Sequence, residues 1–125
     1  MKKTTIALLV CLCLPIPAQG AKRRLPEKAY QEQWCKGRGQ VEYVLPDKPR
    51  CDCLTATHAV EFDFGSKWAE AIGQSLYYSL QTGKRAGIVL ILEDQQDRVY
   101  WLRLNSTIQH FNLPIDTWSI GPSPQ

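Results

Sequence analysis

Apolar and polar positions change period several times along the chain, and each change marks an element. In PEKAYQEQWCK, residues 26–36, Ala29, Trp34 and the Tyr30–Cys35 region share one side at helical spacing. Pro26 suits a first helical turn, and Gly37 and Gly39 stop the run. QVEYVL, residues 40–45, alternates and is rich in strand formers, which predicts a strand. PDKP at 46–49 is a turn with a proline at each end, and residues 50–55 return as the second arm of a hairpin. HAVEFDF at 58–64 predicts a third strand, with Val60, Phe62 and Phe64 on one face and Glu61 and Asp63 on the other.

Ser66 stands where it can cap a helix that takes in Trp68 and Ala69 and runs to Gln81, with Gly83 at its end. Ile72, Leu76 and Leu80 at four-residue steps, joined by Ala69, predict its buried stripe. GIVLILE at 87–93 is apolar without alternation, the mark of a strand buried on both faces of a sheet. Trp101, Leu104, Ile108 and Phe111 then recur at helical spacing and predict a helix over 96–111. A strand at RVYWLRL, followed by a shorter helix capped by Asn105 or Ser106, is the competing pattern. IDTWS at 115–119 reads as a last short strand. The order α-β-β-β-α-β-α-β describes a layered α/β domain with a mixed sheet.

The first residues belong to a different class. Lys2 and Lys3, an apolar run and the small-residue ending AQG describe a secretory signal peptide over residues 1–20, cleaved after Gly20. The run is shorter than the ~20 apolar residues a spanning helix needs, and Pro15 and Pro17 end it, so no membrane anchor is expected to remain. Cys11 follows Val10 and Cys13 follows Leu12, whereas a lipoprotein signal places a small residue there. Residues 21–125 then form a single domain. The leader removes two lysines and no acid, so the full-chain charge of +3 falls to +1. Such a domain has no strong electrostatic footprint for nucleic acid, and AKRR at 21–24 is a short solvated tail.

Export to the periplasm or beyond also sets the cysteine chemistry. Cys35, Cys51 and Cys53 in an oxidising compartment imply one disulfide and one free thiol. Without a second Cys-x-x-Cys pair, zinc is poorly supported. On a regular strand Cys51 and Cys53 point the same way and either can face Cys35; Cys35 with Cys53 is the preferred pair.

The densest chemistry lies in CDCLTATHAVEFDFGSKWAEAIGQSLYY, residues 51–78. If the second and third strands pair, Asp52 comes near Glu61, and carboxylates converging on one spot repel unless a hard cation is present. Lys67, Glu70, Gln74 and Tyr77 or Tyr78 recur at helical spacing and can line one side of the helix, opposite the apolar stripe.

This segment resembles the PD-(D/E)xK nuclease superfamily, in particular its RecB-like branch, over residues 26–93. The resemblance implies a three-layer restriction-endonuclease-like core. It assigns Asp52 to the family's first aspartate, Glu61 to its second acid, and Gln74 and Tyr78 to its Gln-x-x-x-Tyr motif. It further implies hydrolysis of phosphodiester bonds in nucleic acid with Mg²⁺ or Mn²⁺ held by Asp52 and Glu61, with Asp63 as a further ligand. Gln74 and Tyr78 would contact substrate. The family carries a lysine two residues after the second acid, where this chain has Asp63. Either Lys67, one helical turn on, takes that catalytic part, or the fold no longer cuts and binds nucleic acid or a protein partner instead.

Other polar residues have plainer readings. Glu32 on the first helix is more simply a surface acid, and Glu70 a solvated neighbour of Lys67. His58 and His110 stand alone, with no nucleophile pattern for a hydrolase triad. Cys51 reads as a buried thiol. Asn105-Ser106-Thr107 matches a glycosylation acceptor, which matters only in a eukaryotic host.

Overall fold

The computed structural model describes residues 25–121; the expected leader over 1–20, its cleavage point and the basic tail lie outside the described residues. Helix α1 spans Glu27–Cys35 and follows Pro26, whose φ of −66° and extended ψ of 149° set the entry. Its buried residues, Gln31 and Cys35, are four apart, so they share a face, and Glu27 stands one turn earlier on the same line. Strands β1 (Gly39–Val44), β2 (Arg50–Thr55) and β3 (His58–Phe64) follow. The proline-flanked turn closes the first hairpin, with the Leu45 N–H donating to the Pro49 carbonyl at 2.8 Å.

A short 3-10 turn leads into α2 (Trp68–Thr82), which ends at Gly83 in the left-handed region, φ 68°. Strand β4 (Arg85–Ile91), a second 3-10 turn, α3 (Arg98–His110) and β5 (Ile115–Ile120) complete the described chain.

The five strands lie in one sheet in the order β1-β2-β3-β4-β5. The β1–β2 and β2–β3 joints are antiparallel, and β3–β4 and β4–β5 are parallel. Parallel neighbours need a crossover, which α2 and α3 supply. Those two helices cover one face, where Ala71 and Leu104 pack on Ala86, Ile88, Leu90, Leu92 and Ile115. Helix α1 covers the other, where Cys35 packs with Cys53, Val60, Phe62 and Val89. From Ala86 to Ile91 strand β4 is buried on both faces, as its unbroken apolar run predicts. The described residues thus form an α/β domain with a five-stranded mixed sheet and three helices. Among the described residues no helix is long and apolar enough to cross a membrane.

Two local expectations are corrected. Ser66 is absorbed in the 3-10 turn, so Lys67 holds the N-cap position of α2 and no side chain caps it. The buried line of α2 is Ala71, Ser75 and Tyr78, with Ile72 and Leu76 packed beside it; Ala69 is exposed and Leu80 is 76% exposed. Small side chains at 71 and 75 let the helix sit close on the sheet, which turns Tyr78 inward and leaves Leu80 overhanging. The helix expected over 96–111 is α3, entered through a 3-10 turn with a reciprocal cap between Asp94 and Asp97, and the competing strand at RVYWLRL does not form.

Cys35 and Cys53 form the disulfide, and Cys51 is the free cysteine among the described residues. The two β2 cysteines do not share a face, however. Cys53 belongs to the cluster under α1, while Cys51 packs with Leu45, Ala59 and Tyr78. The disulfide closes a separation of 18 residues and ties α1 to β2. Replacing both cysteines with alanine is expected to cost about 3 kcal/mol, from loop-closure entropy restored to the unfolded chain, measured by urea unfolding.

Candidate functional site

The β2–β3 ladder is short. Its Cα pairs are Cys53↔Val60 and Leu54↔Ala59, and the same register would next pair Asp52 with Glu61. That pair is missing. The Phe62 N–H donates instead to Asp52 Oδ2 at 2.8 Å, so a side-chain oxygen replaces the backbone carbonyl of a regular ladder. The other edge of β2 is broken at the same level. Glu42, which would face Asp52, has φ 53°, and pairing skips from Val41↔Cys53 to Tyr43↔Cys51. A left-handed non-glycine residue inside a strand bends it. The Cys51 thiol turns into the gap toward the Val60 and Cys53 carbonyls, at 3.7 and 3.5 Å. This break ends the alternation that would have put Cys51 and Cys53 on one side.

Beside the break, β3 presents Glu61 and Asp63 to the face that α2 covers. Both are buried, each only 4% exposed. The side chains of Asp52 and Glu61 are hydrogen-bonded to each other, which two carboxylates can do only by sharing a proton. Burial, then the neighbouring Asp52 charge, drives the Glu61 carboxyl far above its usual range, so Glu61 keeps the proton. Asp52 is also raised by burial, against the opposing pull of the Phe62 N–H and the Glu61 hydrogen bond. Burial raises Asp63 to about 7, with Glu27 adding to the effect and Lys67 opposing it. The buried Tyr78 hydroxyl is held on the same group, its acidity suppressed by burial and then by Glu61 and Asp52. The Cys51 thiol is pushed up to about 12, chiefly by burial, which makes it inert at neutral pH.

One atom of this group is left over. Glu61 Oε2 is buried and has no hydrogen-bond partner. Buried oxygens are normally satisfied, and an exception needs a reason.

Two residues of α1, Glu27 and its partner Gln31, were missed by sequence reasoning, and the Glu27 charge acts on the cluster. Glu27, in the first turn of α1, raises the carboxyl pKa values of Asp52, Glu61 and Asp63. Gln31 donates from Nε2 to Glu27 Oε1 at 3.1 Å, and its Oε1 is the other buried, unpartnered side-chain atom among the described residues. Their signal was the spacing 27-31-35. Once Cys35 is tied to Cys53, residues on that line face the sheet. The other acid on this helix, Glu32, points away and lies 3.9 Å from Lys28.

Other expected residues sit at the rim. Lys67 and Gln74 are exposed, and the Lys67 charge is felt at Asp63. Gln74 and Tyr78 therefore do not both line an exposed side of α2, because the helix is turned to bury Tyr78. Elsewhere, His58 Nε2 lies 2.7 Å from Asp116 Oδ2, and Arg85 also bonds Asp116, a surface network across the first residues of β3, β4 and β5. A cavity of about 220 Å³ opens among Ser66, Glu93, Asp94, Asp97 and Tyr100, with the Tyr30 hydroxyl donating to Glu93 at 3.2 Å.

Among the described residues, no three or more His, Cys, Asp or Glu side chains are grouped so that they could hold a metal ion. Asp52 and Glu61 meet as a pair; Asp63, two residues along the strand, does not join their hydrogen bond. No family model, curated protein or solved structure matches the chain.

The raised carboxyls give the protein an unusual pH dependence. A folded carboxyl that holds its proton more tightly than the unfolded one stabilises most below the unfolded pKa and loses that contribution as pH rises. Asp52, Glu61 and Asp63 all have this sign, and for Asp63 the loss runs from its ordinary value of 3.8 to about 7. Asp116, lowered by Arg85 and His58, has the opposite sign, but at an exposed position its weight is small. Melting in EDTA is expected at a lower temperature at about pH 8 than at about pH 5, and Glu61→Gln, which cannot ionise, should flatten that slope.

Proposed function

We propose that the chain is an exported nuclease-fold protein that hydrolyses phosphodiester bonds of nucleic acid with Mg²⁺ or Mn²⁺ at Asp52 and Glu61. The single observation that carries this reading is the Asp52–Glu61 pair itself, a half-buried carboxyl and a buried one in contact, with a buried oxygen, Glu61 Oε2, left unpartnered. Such a pair is costly in an apo chain and becomes favourable when a cation displaces the shared proton. The donor set fits the ion, since Mg²⁺ keeps several waters and takes only one or two carboxylates from a protein.

A divalent cation bound there supplies acidified water and neutralises charge on the scissile phosphate. The residues around it have separable tasks. The Phe62 N–H fixes the Asp52 rotamer, so one ligand is in place beforehand. The Tyr78 hydroxyl, kept protonated, steadies Glu61 from α2. Lys67 and Gln74 are exposed beside the acids, where a phosphate backbone can reach them without entering the protein.

The succession α-β-β-β-α-β-α-β supports placing this fold among the restriction-endonuclease-like cores of the PD-(D/E)xK superfamily. The disulfide supports export to an oxidising compartment. One observation favours a second reading. Asp63 stands where the resemblance expects the family's lysine, and Lys67 is exposed, its charge acting on Asp63. On that reading the protein binds a nucleic acid or protein partner without cutting.

Calorimetric titration with Mn²⁺ is expected to give about one ion per chain, lost in the Asp52→Ala, Glu61→Ala double variant. Incubation with plasmid DNA and with RNA then separates the readings. Cleavage that EDTA stops supports the enzyme, whereas metal binding without cleavage supports the non-catalytic protein.

A further inference from the structure

At the leading ends of β3, β4 and β5 lies a line of side chains that the cation site does not use. His58 Nδ1 lies 2.7 Å from Thr57 Oγ1, and His58 Nε2 lies 2.7 Å from Asp116 Oδ2. Arg85 holds both oxygens of Asp116, through Nε to Oδ2 and through Nη2 to Oδ1, the latter at 3.2 Å. Asp116 is 58 residues from His58 in sequence, so the histidine stands alone there and gains its carboxylate only in the fold.

The bonding fixes where the ring proton lies. Arg85 first, and then His58, hold the Asp116 carboxyl below its ordinary value of 3.8, so it is ionised and can only accept. A neutral imidazole facing it carries its proton on Nε2. The Nδ1 lone pair is then the acceptor for the Thr57 hydroxyl proton. A hydroxyl, a base that can take its proton and a carboxylate that orients the base are the parts of an activated nucleophile. The imidazole is also braced by Trp118, edge on with ring centroids 5.2 Å apart. Trp118 lies over Gly87, where an added Cβ would come within 2.8 Å of its ring. The His58 side chain is 18% exposed, whereas Thr57 is open to solvent, so the base is sheltered and the hydroxyl can be reached.

The backbone around the hydroxyl limits the chemistry. The Thr57 and His58 N–H groups both donate to Thr55 Oγ1, at 3.3 and 2.9 Å, so neither is turned out to hold an oxyanion. Acyl donors that already carry a good leaving group depend least on that support.

We propose that Thr57 is a nucleophile, with His58 as its base and Asp116 as the positioning residue, that takes an acyl group from an activated ester or thioester. Thr57 Oγ attacks the acyl carbonyl carbon as its proton passes to His58 Nδ1. The bond to the leaving oxygen or sulfur breaks, and that atom takes the proton from Nδ1. The products are an O-acyl threonine in the turn between β2 and β3 and a free alcohol or thiol. This chemistry needs no cation and stands apart from the carboxylate site.

The test incubates the full chain with p-nitrophenyl acetate in EDTA, and peptide mass spectrometry locates and times the acetyl groups. Thr57 is expected to be acetylated at least about a hundredfold faster than Ser106, an exposed hydroxyl of the same chain. His58→Gln is expected to slow position 57 about a hundredfold and Asp116→Asn to slow it in the same direction, with Ser106 unchanged in both. Thr57→Ser should keep labelling at that position. A merely structural network would not set the ratio between two exposed hydroxyls. Thr57 labelled no faster than Ser106, or at the wild-type rate in His58→Gln or Asp116→Asn, overturns the proposal. If either variant melts below the assay temperature, the ratio of Thr57 to Ser106 in the wild type decides.

Discussion

The contact on which the structure turns is the shared proton between Asp52 and Glu61. An ionised carboxylate buried without a partner is far too costly to keep, so the apo protein keeps one acid neutral and lets the other accept its hydrogen bond. The surroundings are arranged around that compromise. Strand β2 gives up regular pairing at Asp52 on both of its edges, and Asp52 takes the Phe62 N–H in exchange. Helix α2 turns Tyr78 inward onto Glu61, and the Glu27 charge on α1 acts on both acids.

None of this strengthens an apo fold. The apolar layers are sound without it: Ile88, Leu90 and Leu104 under the two crossover helices, and Val60, Phe62 and Val89 under α1. Three acids with raised pKa values, a strand residue in the left-handed region and two orphaned oxygens are all local costs. Costs of this kind gather at functional sites, where a ligand offsets them. A structural account explains the Asp52 hydrogen bond to Phe62. It does not explain why Glu61 is not apolar.

Much of the fold was legible because period and punctuation agreed. HAVEFDF alternates, GIVLILE does not, and Gly83 marks the end of the second helix; the strands and the C-cap lie where those patterns put them. Three cysteines were expected to give one disulfide and one free thiol, and the preferred Cys35–Cys53 pair is the one that forms. What escaped depended on how elements sit on each other. Ile72, Leu76 and Leu80 suggest the α2 stripe, but the helix is seated by Ala71 and Ser75, whose smallness carries little weight in a hydrophobic pattern. Cys51 left the side of Cys53 because strand alternation fails at Asp52, and a broken ladder leaves no trace in residue spacing. In the site, Asp52 beside Glu61 was readable from the hairpin. Glu27 and Gln31 were not, because their place depends on which face of α1 the disulfide pulls down.

The most direct measurement is an anomalous difference map from crystals of the protein grown with Mn²⁺. The account predicts one peak bridging Asp52 and Glu61, about 2.0–2.2 Å from an oxygen of each, with their mutual hydrogen bond broken. A map with no peak there, and the two carboxyls still joined by a short hydrogen bond, would contradict it.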